Sequence, residues 1–150
     1  MKQQDYHKSI TVPVGSAEVF KNIIKVSDWW TNTFKGSAGK VDDVFKVSFG
    51  KTKVDFKVKE IIPDKKIVWQ VTDCYLDWIN NKSEWKGTEI VWEISEKNNR
   101  SKIDMTHIGL IPGIECYKDC ETGWNQYVGE SLPKLIETGK GVIFDGSGGS

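Results

Sequence analysis

In five stretches between Val41 and His107 the chain alternates apolar and polar residues with a period of two. Phe45, Val47 and Phe49 share a parity opposite Lys46 and Ser48, and Val54, Phe56 and Val58 alternate with Lys53, Asp55, Lys57 and Lys59. Ile67, Trp69 and Val71 form the next set. Ile90, Trp92 and Ile94 stand against Glu89 and Glu93, and Ile103, Met105 and His107 against Asp104 and Thr106. This period places alternate side chains on opposite faces of a strand, so the segment predicts half-buried strands with one apolar face. Pro63 and Asp64 fit the centre of a type I turn, and Lys97–Arg100 reads as another turn. Turns this short imply antiparallel neighbours.

The flanking segments change period. Tyr6–Val14 has the composition of a strand, ended by Pro13. Ser16 is a candidate N-cap for a helix whose buried stripe is Val19, Phe20, Ile23 and Ile24, and Ser27-Asp28 for a second helical turn carrying Trp29, Trp30 and Phe34. Gly36–Gly39 reads as a loop, and Leu76–Gly87 as an irregular loop bearing Trp78 and Trp85. The longest helical pattern runs from Ile114 to Gly141. Within it Cys120, Trp124, Tyr127, Val128, Ser131, Leu132, Leu135 and Ile136 recur at three- and four-residue spacing. Pro133 would clash with the carbonyl of Gly129, which predicts a kink or restart near Ser131. The pattern as a whole predicts an α+β domain: strand, two short helices, about five further strands, and a long helix covering the apolar face of the sheet.

Composition narrows the functional classes. A chain of 150 residues suits a single domain, here read as residues 1–141, with the Gly/Ser-rich residues 142–150 as a flexible tail. The 21 basic and 21 acidic residues cancel, so no net field directs the chain to nucleic acid. The lysines between Lys46 and Lys66 alternate with apolar residues and read as a solvated sheet face. No apolar run reaches the ~20 residues of a membrane span, and the first residues carry no apolar segment of the signal-peptide kind, so a cytoplasmic location is expected. Cys74, Cys116 and Cys120 are an odd set, which fits reduced thiols.

Candidate chemistry is sparse. His107 is aimed at the apolar side, where it could bond a ligand's carbonyl or hydroxyl, or serve structurally through a backbone or tryptophan partner. Cys116 and Cys120 stand four apart on one helical face, but a structural zinc site needs four ligands and no fourth is evident, so neither metal nor cofactor is expected. No catalytic motif is present. The seven tryptophans are the conspicuous feature, each bringing a large apolar surface and one N–H donor.

Several local patterns occur together in a particular order. They are Ile10-Thr11-Val12-Pro13-Val14 with Ala17-Glu18-Val19-Phe20, Ser27-Asp28-Trp29-Trp30, His107-Ile108-Gly109-Leu110, and Gly123-Trp124 followed by Ser131-Leu132 and Leu135 to Gly141. In this the chain resembles the START-like (SRPBCC) superfamily, and within it the homologues of the activator of the ninety-kilodalton heat-shock-protein ATPase. The resemblance implies a helix-grip fold, in which an antiparallel sheet curls around the C-terminal helix and a cavity lies between them. It implies a binding module for a hydrophobic or aromatic small molecule. Phe45, Phe56, Trp69, Trp92, Met105, Trp124 and Tyr127 would then supply contact area, Trp29, Trp30 and Trp78 the entrance, and His107 a directional hydrogen bond. Two alternatives stand beside it: a protein-interaction module acting on a chaperone through the Trp78–Trp85 loop, and a cavity enzyme, hydrolase or cyclase, dependent on His107.

Overall fold

The computed structural model of the protein describes residues 5–30, 34–49, 52–76, 80, 85–110, 117–139 and 141. In chain order the elements are β1 (Tyr6–Val12), α1 (Ser16–Ile23), α2 (Val26–Trp29), β2 (Phe34–Gly36), β3 (Val44–Phe49), β4 (Thr52–Ile62), β5 (Lys66–Tyr75), β6 (Glu89–Lys97), β7 (Arg100–Ile108), α3 (Tyr117–Gln126), a π-helical turn (Tyr127–Ser131) and α4 (Leu132–Thr138). The strands form one antiparallel sheet in the order β1-β7-β6-β5-β4-β3-β2. It is the α+β helix-grip arrangement that the pattern and the resemblance predict, with one additional three-residue strand, β2, where Phe34 lies instead of continuing the second helix.

The alternation has the expected consequence. Val54, Phe56 and Val58 on β4, Ile90, Trp92 and Ile94 on β6, and Ile103, Met105 and His107 on β7 are all buried. On β5 the period is broken. Phe56 pairs with Val71 while Asp55 pairs with Asp73, leaving Thr72 as an extra residue, so Cys74 rather than Asp73 turns inward beyond the bulge. A second shift lies between Val58 and Glu60, and the two bend the β4–β5 pair around the helical layer.

Several local expectations need correction. Asp64 has φ 65°, and the amide of Lys65 donates to the Ile62 carbonyl at 2.9 Å, so Pro63-Asp64 forms a type II rather than a type I turn. Asn98 and Asn99 both have positive φ, as a two-residue type I′ hairpin requires. Ser16 is the first residue of α1 and not its cap. The N-cap is Gly15, and the carboxylate of Glu96 on β6 accepts from the Ser16 amide at 2.8 Å and from its hydroxyl at 3.0 Å. This hydrogen bonding holds the Glu96 carboxyl below the usual carboxylate range. Ser27 and Asp28 lie within α2, which starts after Lys25.

The C-terminal helix is built as the Pro133 argument predicts. The amide of Leu132 bonds the carbonyl of Tyr127, five residues back, and α4 then restarts with Pro133 in its first turn, where a missing N–H costs nothing. Trp124, Val128, Leu132 and Ile136 are spaced by fours. At 100° per residue each such step oversteps a full turn by about 40°, and a regular α-helix would swing Ile136 away from the face of Trp124. The wider π-turn takes back part of that rotation, and all four are buried.

Candidate functional site: an aromatic interior

Side chains from β4, β5, β6, α2 and the residue that caps α2, Trp30, meet in a closed circuit. The ring centroids of Phe56 and Trp69 lie 5.8 Å apart, Trp69 and Trp92 5.4 Å, Trp92 and Trp29 5.6 Å, Trp29 and Trp30 5.6 Å, and Trp30 and Phe56 5.8 Å. Phe45 stacks on Phe56 at 4.9 Å and meets Trp69 edge-on at 5.0 Å. Trp30 extends the cluster to the C-terminal helix through Trp124 at 5.0 Å and Tyr127 at 6.4 Å. Offset and edge-on pairs of this kind contribute beyond the area they bury.

His107, on β7, lies beside Trp124 where this cluster reaches the C-terminal helix. Trp124 Nε1–H can only donate, and it points at His107 Nδ1 at 3.1 Å, so Nδ1 must be the unprotonated nitrogen. Nε2 then carries the proton and donates to Thr88 Oγ1 at 2.9 Å, while the Thr88 hydroxyl donates to the carbonyl of Trp85 at 2.6 Å. The indole fixes the direction of every bond in the relay. Burial without a compensating charge pushes the imidazole down to about 3, so it is neutral at physiological pH. Trp85 closes the arrangement, edge-on to His107 at 4.6 Å and stacked parallel to Trp124 at 6.0 Å.

The structure therefore brings together Phe45, Phe56, Trp69, Trp92, Met105, His107 and Trp124, with Tyr127 half-buried beside them. Trp29 and Trp30, expected at an entrance, are enclosed at 0% and 3% exposure, the former donating from Nε1 to the Ile23 carbonyl at 3.0 Å. Trp78 lies outside the described residues, as do Cys116 and the Cys120 side chain. Sequence reasoning missed Thr88, although it shares the parity of the inward-facing Ile90 and Trp92. Ser131 is buried as its place on the helical stripe predicts, but the spacing did not reveal that its hydroxyl donates to the Trp29 carbonyl at 2.6 Å and ties the π-turn to α2.

Two features lie on the outer side of the sheet. His7 Nε2 is 3.0 Å from Asp104 Oδ1 and 3.3 Å from Ser9 Oγ, and Ser9 also donates to Asp104. Carboxylate and hydroxyl share one ring nitrogen, so the imidazole cannot relay a proton between them, and the group lacks the order of a hydrolytic triad. A shallow depression of about 360 Å³ opens beside Lys35, Val44, Lys46 and Asp55. Among the described residues no three His, Cys, Asp or Glu side chains come together as a metal site would require.

The family model described as Activator of Hsp90 ATPase homolog 1-like protein matches residues 18–137, from α1 to the end of α4. The chain belongs to this family. Among solved structures, the Aha1 dimer from Colwellia psychrerythraea is 25% identical with a TM-score of 0.73, covering 94% of this chain and 100% of that one. DynU16, a putative protein of the dynemicin biosynthetic locus, is 16% identical with a TM-score of 0.67, and this chain spans 49% of its length. Protein MLL2253 from Mesorhizobium loti is 13% identical with a TM-score of 0.69, covering 88% of this chain and 97% of its own. The last two show the fold alone. No curated protein sequence matches. Membership in the Activator of Hsp90 ATPase homolog 1-like family agrees with the START-like resemblance and makes the chain a ligand-binding or interaction module in general terms. Among the described residues no helix is long and apolar enough to cross a membrane.

Proposed function

We propose that the protein is a non-catalytic module that holds a hydrophobic or aromatic small molecule between the sheet and the C-terminal helix. The observation that carries this reading is the closed circuit of Phe56, Trp69, Trp92, Trp29 and Trp30 on that side of the sheet. Rigid aromatic faces with few polar groups are the usual lining of small-molecule sites. The neutrality of His107 supports the non-catalytic part, because a base titrating at about 3 with both nitrogens engaged is poorly matched to proton transfer near pH 7. In this reading His107 orients Trp124 and does not itself touch the ligand. Native mass spectrometry of the purified protein beside its denatured mass, followed by tryptophan-fluorescence titration with fluorene, tests the idea. A co-purified mass or saturable quenching is the expected result, and a bare protein mass with no saturation would overturn it.

The description of the matched family and the relation to the Colwellia Aha1 favour a second reading, an interaction module acting on a chaperone ATPase. Trp85 is turned inward and is not available for that purpose, whereas Val41 and Val44, 49% and 61% exposed, are. Addition of the protein would raise the ATPase rate of an Hsp90-class chaperone, and Val44→Glu would reduce the effect. An unchanged rate counts against it.

A further inference from the structure

Every buried indole N–H needs an acceptor, and four of the buried tryptophans divide into two kinds. Trp29 donates to a carbonyl and Trp124 to an imidazole. Among the described residues Trp69 Nε1 and Trp92 Nε1 find no hydrogen-bond partner, although both side chains are wholly buried. An unmade bond at a buried donor costs about 1–3 kcal/mol, and such groups are rare in native proteins. Two of them occur on rings whose centroids are 5.4 Å apart, on adjacent strands, in the same five-membered circuit.

We infer that Trp69 and Trp92 form a two-donor site for the neutral acceptor oxygen of the bound molecule, so that the ligand class is a flat apolar compound ending in a carbonyl. The inference rests on the ligand-binding reading above and supplies the directional contact that His107, engaged with Trp124 and Thr88, does not. Charge chemistry agrees with it. Among the described residues the buried polar and charged side chains are Asn22, Thr52, Ser101, His107 and Ser131, none of them a permanent cation that would neutralise a carboxylate. An anionic ligand would meet a large desolvation cost here, and a neutral carbonyl would not.

The test compares ligands matched in shape. The intact protein, with its indole nitrogens labelled by 15N-tryptophan, is titrated with 9-fluorenone against fluorene and with 1-indanone against indane. The ketone of each pair is expected to bind at least about tenfold more tightly and to move the indole proton resonances of Trp69 and Trp92 downfield. Trp69→Phe and Trp92→Phe would each reduce that preference. The wild-type resonances provide a readout even where a variant does not fold. Equal binding of ketone and hydrocarbon, with both resonances unmoved, would overturn the two-donor site and leave the apolar-ligand reading standing. Absence of binding by all four compounds would overturn both. Resonances already shifted upfield in the unliganded protein, as for N–H groups lying over aromatic faces, and unchanged on titration would also sink the proposal.

Discussion

The His107 relay shows how one donor-only group sets the protonation of its neighbours. Since the Trp124 indole can only give a proton, His107 must present a lone pair to it, and protonation of Nδ1 would break that bond inside an apolar region. The unfolded chain titrates this histidine near 6.5, and the folded chain only near 3. Between these values the unfolded state binds more protons, so this residue's contribution is at its full value above pH 6.5 and declines as the pH falls toward 3. Gln at this position keeps one acceptor and one donor but does not titrate. Urea unfolding of wild type and His107→Gln between pH 6 and 4 should differ in slope by about 1.4 kcal/mol per pH unit, with the wild type losing stability faster on acidification. Parallel slopes would mean that the imidazole is charged in the native state.

At the scale of elements, the C-terminal helix provides paired tests of opposite sign. Gly139 closes α4 with φ 83° and donates to the Leu135 carbonyl at 2.8 Å, a left-handed cap that a Cβ would strain. Gly123 lies within α3, where an added Cβ meets nothing within 4 Å. Gly139→Ala should destabilise by about 1 kcal/mol, and Gly123→Ala should stabilise by about 0.4–1 kcal/mol, both read from urea midpoints at constant m-value. The elements themselves were largely legible in the sequence, because a period of two or of three to four reports which face is buried. β2 was not, since three residues cannot display a period. Nor was the cap of α1, because Glu96 reaches Ser16 from 80 residues away and nothing local announces it. The site divides along the same line. Parity turned His107 inward, but its partners Thr88 and Trp124 come from separate elements, and the unpartnered donors of Trp69 and Trp92 exist only once the strands are side by side.

Considered whole, the molecule depends on the ends of its helical layer meeting. A Cβ on Gly141 would come within 2.6 Å of the Asp28 carbonyl oxygen and 3.1 Å of Trp29 Cα, backbone that cannot rotate aside. Gly141→Ala is therefore expected to lower stability by about 1–3 kcal/mol and to disturb the tryptophan emission, whereas an unaltered midpoint would show that the chain after α4 is not seated against α2. Charge acts at this scale too. With equal numbers of acidic and basic residues and a pI near 6.7, the protein should be least soluble near neutral pH, as a precipitation series from pH 5 to 9 in polyethylene glycol would reveal.

The π-turn carries a consequence for chain length in descent. Trp124, Val128, Leu132 and Ile136 hold one face at spacings of 4-4-4 only because the turn between Tyr127 and Ser131 accommodates one more residue than an α-helical turn would. Removing the exposed Glu130 would make the spacings 4-3-4, the ordinary stripe of a straight helix. Pro133 would then fall in a helix interior, at a cost of about 3 kcal/mol, so the deletion should be tolerated together with Pro133→Ala and not without it. Insertion and proline are thus a linked pair, and relatives that lack one would be expected to lack the other.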